Sequence, residues 1–430
     1  MTAVKGGAMA VSARKTIPRW GVGLGSERPA PIEDQRATMP MGDTGPGTAS
    51  GGLALTLFGG GARAAYQVGV LRGLARGRPD LRPSILVGIS AGAINAAHLG
   101  NRVGSFEEKT AALTELWRGI DVERVFETRP LALLHRAACI GLRLATGWAP
   151  TLRPLHGLVD SAPLAQFLGR EFGGRDLAGI RENLASGDLD AIALVALQYA
   201  TGRTISFYAG RDLVEWDRPL RRGERVELGL EHVLASSALP LFFPPTEIGG
   251  EWYGDGGVRL SAPLAPAVHL GAERILAVST RYRPSGDEAS MRRFEGAPRA
   301  AQILGNLMSA TFLDVLDQDA LHLERINGLV ERLPEAERMG LRPIRCLVIR
   351  PSRDIAALAN DFEPRLPFVF RFLTRRWGTK RARTQELLST ILFQEDYVRA
   401  LLEVGEEDGE RNVDALAELL DDQNPTASPR

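Results

Sequence analysis

Cysteine is nearly absent. Cys139 and Cys346 are the only two in 430 residues, which excludes a disulfide framework and leaves reduced thiols as the simpler reading. Lysine is rare too, four of 52 basic residues, a bias towards arginine with no chemistry of its own. Neither sign of charge is in excess: 52 basic residues face 52 acidic ones, so no net field steers the chain onto nucleic acid. Long hydrophobic runs are missing. The longest are strand-sized, such as residues 53–58, well under the roughly 18 residues of a membrane-spanning helix. Lys5, Arg14 and Lys15 lead into no apolar core of a secretion signal, and a cytoplasmic location is the expectation. The six histidines and the carboxylates show no metal-ligand spacing, so no metal is expected.

What is present is a globular balance, 44% hydrophobic and 24% charged, long enough to bury a sizeable core without staples. Residues 1–50 mix Gly, Pro, Ser, Thr and Met without periodicity and read as a flexible leader. Order begins at Leu53 with strand, glycine turn, helix, strand, tight turn, helix: strands at 53–58 and 84–87, helices at 63–76 and 91–99. Further strands are expected at 191–197, 204–208, 245–248, 251–253 and 274–280, with short helices at 232–238 and 262–271. This alternation predicts an α/β layered fold with a mainly parallel central sheet. It divides the chain into an α/β unit at 51–285, a mainly helical region at 286–420 with one strand candidate at 344–349, and a polar tail at 421–430.

Three motifs carry chemistry. Gly88-Ile89-Ser90-Ala91-Gly92 follows a predicted strand and opens a helix, the context a nucleophile elbow requires. A helix N-terminus behind Ser90 adds partial positive charge where an oxyanion would develop. Gly59-Gly60-Gly61-Ala62-Arg63-Ala64 again joins strand to helix, and its unshielded N–H groups suit an anion. It reads as an oxyanion hole, as a dinucleotide fingerprint or as a plain packing turn. The dinucleotide reading needs an acidic residue at the end of the second strand. Asp80 has the spacing but precedes that strand, so no cofactor is expected. Asp255-Gly256-Gly257 follows two short strands and is by itself a turn signature.

Taken in chain order, these motifs resemble the patatin-like phospholipases, a family of serine lipid acyl hydrolases. The stretch Ala235-Ser236-Ser237-Ala238-Leu239-Pro240, running on to Phe243-Pro244-Pro245, adds to the match, which covers about residues 53–280. Two departures are Ala64 and Gly254, where the family usually has Gly and an apolar residue respectively. The resemblance implies a three-layer fold and a Ser–Asp dyad of Ser90 and Asp255. It makes Gly59, Gly60, Gly61, Ala62 and Arg63 the oxyanion loop, Gly88, Ile89, Ala91 and Gly92 the elbow, and Gly256 and Gly257 the aspartate turn. An aspartate of ordinary pKa is a weak base for an alcohol, so Asp255 needs desolvation.

A histidine base is the competitor to the dyad. Of His98, His135, His156, His232, His269 and His322, only His269 falls in the order of an α/β-hydrolase triad, and it sits inside an apparent helix rather than a loop. The expected activity is hydrolysis of lipid acyl esters. Acyl transfer or thioester hydrolysis by the same dyad, a non-catalytic scaffold and a dinucleotide-dependent oxidoreductase are the alternatives. Residues 131–144 and 365–383 are basic and amphipathic, the second with Phe368, Phe370, Phe372 and Trp377, and suit transient contact with an anionic membrane surface.

Overall fold

Residues 53–57, Leu-Ala-Leu-Thr-Leu, offer apolar side chains to both faces of a strand, as a sheet covered on both sides demands. In the computed structural model, which describes residues 52–126, 159–240, 242–284, 315–362 and 385–421, they form the buried strand β1 (Leu53–Leu57). Leu53, Leu55 and Leu57 enter one core while Ala54 enters the other. The turn after β1 feeds α1 (Ala64–Gly77), and β2 (Ile85–Ile89) pairs parallel to β1 and leads into α2 (Ala91–Asn101). The chain continues through α3 (Phe106–Arg118), α4 (Val122–Val125), α5 (Ala162–Glu171) and α6 (Ala178–Ser186).

Next come β3 (Ala191–Gln198), β4 (Thr204–Gly210), β5 (Asp217–Arg218), β6 (Arg221–Arg225) and α7 (Leu230–Ser237). The hairpin β7 (Thr246–Ile248) and β8 (Glu251–Asp255) follows, then α8 (Ala265–His269) and β9 (Arg274–Val278). The later elements are α9 (Val315–Val330), β10 (Arg345–Ile349), α10 (Ile355–Phe362), α11 (Gln385–Ile391), α12 (Glu395–Arg411) and α13 (Val413–Leu420). The sheet order is β10-β9-β1-β2-β3-β4-β6-β5, with β8 branching from β3 and β7 from β8. From β10 to β3 every pair is parallel; β4 and β8 run antiparallel to β3. The fold is therefore α/β with a mostly parallel sheet between two apolar cores.

The C-terminal helices are built onto the first core. α12 lies against α1 so closely that a Cβ on Gly69 would fall 2.2 Å from the Leu402 carbonyl oxygen, and one on Gly405 2.2 Å from that of Tyr66. The Tyr66 hydroxyl donates to buried Asp408 at 3.0 Å, and Asp408 also accepts from the Ser352 N–H at 2.9 Å and from Arg411 at 2.6 Å. Glu406 pairs with Arg72 and Arg76 of α1.

Several boundaries moved. β2 runs two residues past the expected end, and β8 runs into Asp255 itself. The helix expected at 262–271 contracts to five residues, α8, with Pro266 in its first turn. β5 and β6 were not expected: Arg-Arg-Gly-Glu-Arg has no apolar alternation and is a strand only because the β4 edge receives it. No helix among the described residues is long and apolar enough to cross a membrane. The leader at 1–50, the amphipathic segments 131–144 and 365–383, and Cys139 lie outside the described residues.

Candidate active site

Ser90 leaves the sheet at the end of β2 and caps α2, with φ 57° and ψ −131°. A side chain rarely adopts such a backbone, and packing on every side must hold it there. The following turn admits only glycine at 92, because a Cβ there would lie 2.2 Å from the Leu57 carbonyl oxygen. This is the sharp strand-to-helix reversal read from the sequence, and it lifts the Ser90 side chain away from the sheet. Gly88 has the same limit, its added Cβ meeting Ala93 Cα at 2.5 Å.

The Ser90 hydroxyl donates to Asp255 Oδ2 at 2.5 Å, across 165 positions of sequence. Topology explains the meeting: Ile89 is opposite Val195 on β3, and Ala196, the next residue, is opposite Asp255 on β8. Asp255 is wholly buried, and its Oδ1 accepts the Gly257 N–H at 2.9 Å, the task of the aspartate turn. Burial pushes its carboxyl up to about 7, against the hydrogen bonds from Ser90 and Gly257, which pull it down. That places the group where it can exchange a proton near neutral pH.

The glycine loop passes directly beside Ser90: a Cβ on Gly59 would approach Ser90 Cβ to 2.7 Å. The Gly59 carbonyl accepts the Thr280 hydroxyl at 2.7 Å, and Gly61 takes φ 57°, open to glycine at no steric cost. Among the described residues the N–H groups of Gly60 and Gly61 donate to no protein acceptor. With Arg63 and Ser90 they line a pocket whose other walls are Ile94, Ile120, Phe126, Leu164, Leu239 and Phe243. Glu386, Thr390 and Ile391 of α11 line it as well. Ala62, wholly buried, carries the short turn into α1.

The alternatives fall elsewhere in space. His269 stacks on Trp216 at 4.7 Å in the second core, and burial together with Arg221 and Arg218 lowers its pKa to about 4. His98 is likewise lowered to about 4, first by burial, while His232 Nδ1 accepts the Gly229 N–H at 3.0 Å. Asp80 is engaged by Arg78 on the surface at 2.8 Å. Gly254 has a direct explanation. A Cβ there would lie 2.3 Å from the Tyr199 hydroxyl oxygen, so that phenol occupies the space an apolar side chain would need.

Sequence reasoning missed a buried relay beneath the loop. Gln67 donates to the carbonyl of Phe58 at 2.6 Å and to that of Val278 at 3.2 Å, fixing the chain just before Gly59. Asn95 donates to Gln67 at 3.0 Å and accepts from the Trp117 indole at 2.6 Å. No local signal marks these residues, since each polar group finds its partner only after folding.

Among solved structures, the chain is similar to human GIVD cytosolic phospholipase A2 in complex with methyl gamma-linolenyl fluorophosphonate, at 14% identity and TM-score 0.40, over 86% of this chain and 58% of that one. The same human enzyme with terbium chloride added is 16% identical at TM-score 0.39, over 86% and 59%. VipD from Legionella pneumophila is 12% identical at TM-score 0.33, over 83% and 67%. The chain thus spans less than two thirds of the human structures. No curated protein sequence matches it. The patatin-like phospholipase family model matches residues 55–268, the stretch that holds the glycine loop, Ser90 and Asp255. By that match the chain belongs to the patatin-like phospholipase family.

Proposed function

We propose that the protein is a lipid acyl hydrolase of the phospholipase A type, cleaving acyl esters of phospholipids or related lipids on a Ser90–Asp255 dyad. One observation carries this reading: a serine hydroxyl 2.5 Å from a wholly buried carboxylate, on the wall of an apolar pocket. In the first step Ser90 Oγ attacks the ester carbonyl while Asp255 takes its proton. The tetrahedral oxyanion falls to the N–H groups of Gly60 and Gly61, a role worth about 3–4 kcal/mol per donor. The positive end of α2 adds to it. Asp255 then protonates the leaving alcohol, and the acyl chain stays on Ser90. Water attacks this ester, Asp255 accepts the water proton, and the fatty acid leaves as the Ser90 hydroxyl is restored.

Apolar walls such as Ile94, Phe126 and Leu164 suit an acyl chain more than a sugar or a peptide. The chemistry is assigned to residues 51–285, and Glu386, Thr390 and Ile391 of α11 add to the pocket wall. The enzyme meets its substrate from the cytoplasm, docking through the basic, aromatic segment at 365–383. Lost liposome binding on neutralising Arg371, Arg375 and Arg376 is the expected result for that segment. The activity itself is tested with a phospholipid and acyl-ester panel followed by fatty-acid analysis. Ser90→Ala and Asp255→Asn must both abolish product, and retention of activity by both rejects the dyad.

A further inference from the structure

Ser90 and Asp255 are both held by one short piece of chain that takes no part in the chemistry above. At the end of α7, Ser236 is wholly buried. Its hydroxyl oxygen accepts the Ser90 backbone N–H at 3.1 Å and donates to the Val195 carbonyl at 2.6 Å. Two residues on, the Ala238 carbonyl accepts the Asp255 backbone N–H at 3.0 Å.

The location of this hydroxyl gives it its meaning. Ile89 and Val195 are the last paired residues of β2 and β3, and beyond them Ser90 turns out of the sheet. A strand leaving a ladder strands an N–H on one side and a C=O on the other, and burial makes both costly. One serine hydroxyl, as acceptor and donor at once, satisfies both groups across the gap. The same contact holds Ser90 at its positive φ, a conformation that persists only when the surroundings impose it.

We propose that Ser236 is a positioning residue: with the Ala238 carbonyl it forms a clamp that sets the elbow of Ser90 against the backbone of Asp255, and so fixes the dyad distance. The proposal rests on reading Ser90 as the nucleophile. Ser236 touches neither the reacting oxygen nor the carboxylate, so its effect falls on the rate of attack rather than on substrate binding.

The test is Ser236→Ala assayed beside wild type and Ser90→Ala. With a short-chain chromogenic ester, kcat is expected to fall roughly ten- to hundred-fold while KM stays within about two-fold. Covalent capture of Ser90 by a fluorophosphonate slows by a similar factor. In amide hydrogen exchange, the peptide spanning 86–93 exchanges faster in Ser236→Ala, whereas peptides from β1 and α12 are unchanged. Where Ser236→Ala does not fold, Ser236→Cys, of similar volume but a weak hydrogen bonder, is expected to give the same pattern. Unchanged kcat and unchanged exchange at 86–93 overturn the clamp, as does a loss confined to KM. Should Ser90→Ala keep wild-type activity, the dyad reading fails instead, and the exchange measurement still decides whether Ser236 holds the elbow.

Discussion

Arg63 and Glu386, 323 positions apart, form an ion pair of 2.6 Å on the wall of the pocket beside Ser90. Arg63 also donates to the Thr390 hydroxyl at 3.3 Å, so α11 is fastened to the residue that ends the glycine loop. The Thr390 carbonyl presses on Gly61 closely enough that a Cβ there would lie 2.0 Å away. Glu386→Ala leaves a buried guanidinium without its carboxylate, with an expected cost of about 1–3 kcal/mol because Glu386 itself is partly in water. A lower melting temperature together with weaker ester hydrolysis is the expected result, and Glu386→Gln recovers part of both.

Asp255 gives the site its pH dependence. A carboxyl raised to about 7 is a base only above that pH, so kcat/KM is expected to rise with pH through about 7 with the slope of one proton. Stability runs the other way. The folded state holds this proton while the unfolded chain, with an aspartate pKa near 4, has lost it, so stability falls as pH rises between about 4 and 7. Asp255→Asn removes that slope. At pH 8 the inactive variant is expected to unfold at higher denaturant than wild type, by an amount on the order of a few kcal/mol.

The docking of α12 on α1 depends on bare backbone. Gly405→Leu forces a side chain towards the Tyr66 carbonyl, where even a Cβ would lie 2.2 Å away. Overpacking usually costs about 1–3 kcal/mol, and contact with backbone leaves little room to yield. Gly405→Ala is expected to lower the melting temperature and Gly405→Leu to lower it further, read by thermal unfolding.

Tyr199 and Gly254 are coupled by the space they share. Gly254→Val alone drives its side chain into the Tyr199 phenol next to Asp255, and loss of activity is expected. Combined with Tyr199→Ala, the valine gains room, and the double variant is expected to be more active than Gly254→Val alone. A double-mutant cycle in kcat/KM measures this coupling; additive effects would reject it.

The first strand, both glycine turns and the helices after them are legible because residues 53–57 and 85–89 are mainly apolar runs that end in or next to a glycine turn. The Ser90–Asp255 meeting is not local information: it needed the order of motifs, a family resemblance rather than a spacing. β6 was illegible because Arg221, Arg222, Glu224 and Arg225 show no alternation. Gln67, Asn95 and Trp117 looked like ordinary helix residues, and only the folded chain turns their amides and indole towards one another. The role of Ser236 was hidden for the same reason, since the groups it bridges are 146 and 41 positions away.

The parallel sheet has a consequence for the order of synthesis. β10 pairs with β9 at one margin of the sheet, and α12 covers α1. Until residues 345–349 and 395–411 leave the ribosome, the nascent chain displays an unpaired β9 edge and the uncovered face of α1. An open edge beside an apolar face invites pairing with another chain. A chain interrupted after residue 285 would keep Ser90 and Asp255 but lack these covers, and its fate would be decided by chaperones rather than by its chemistry.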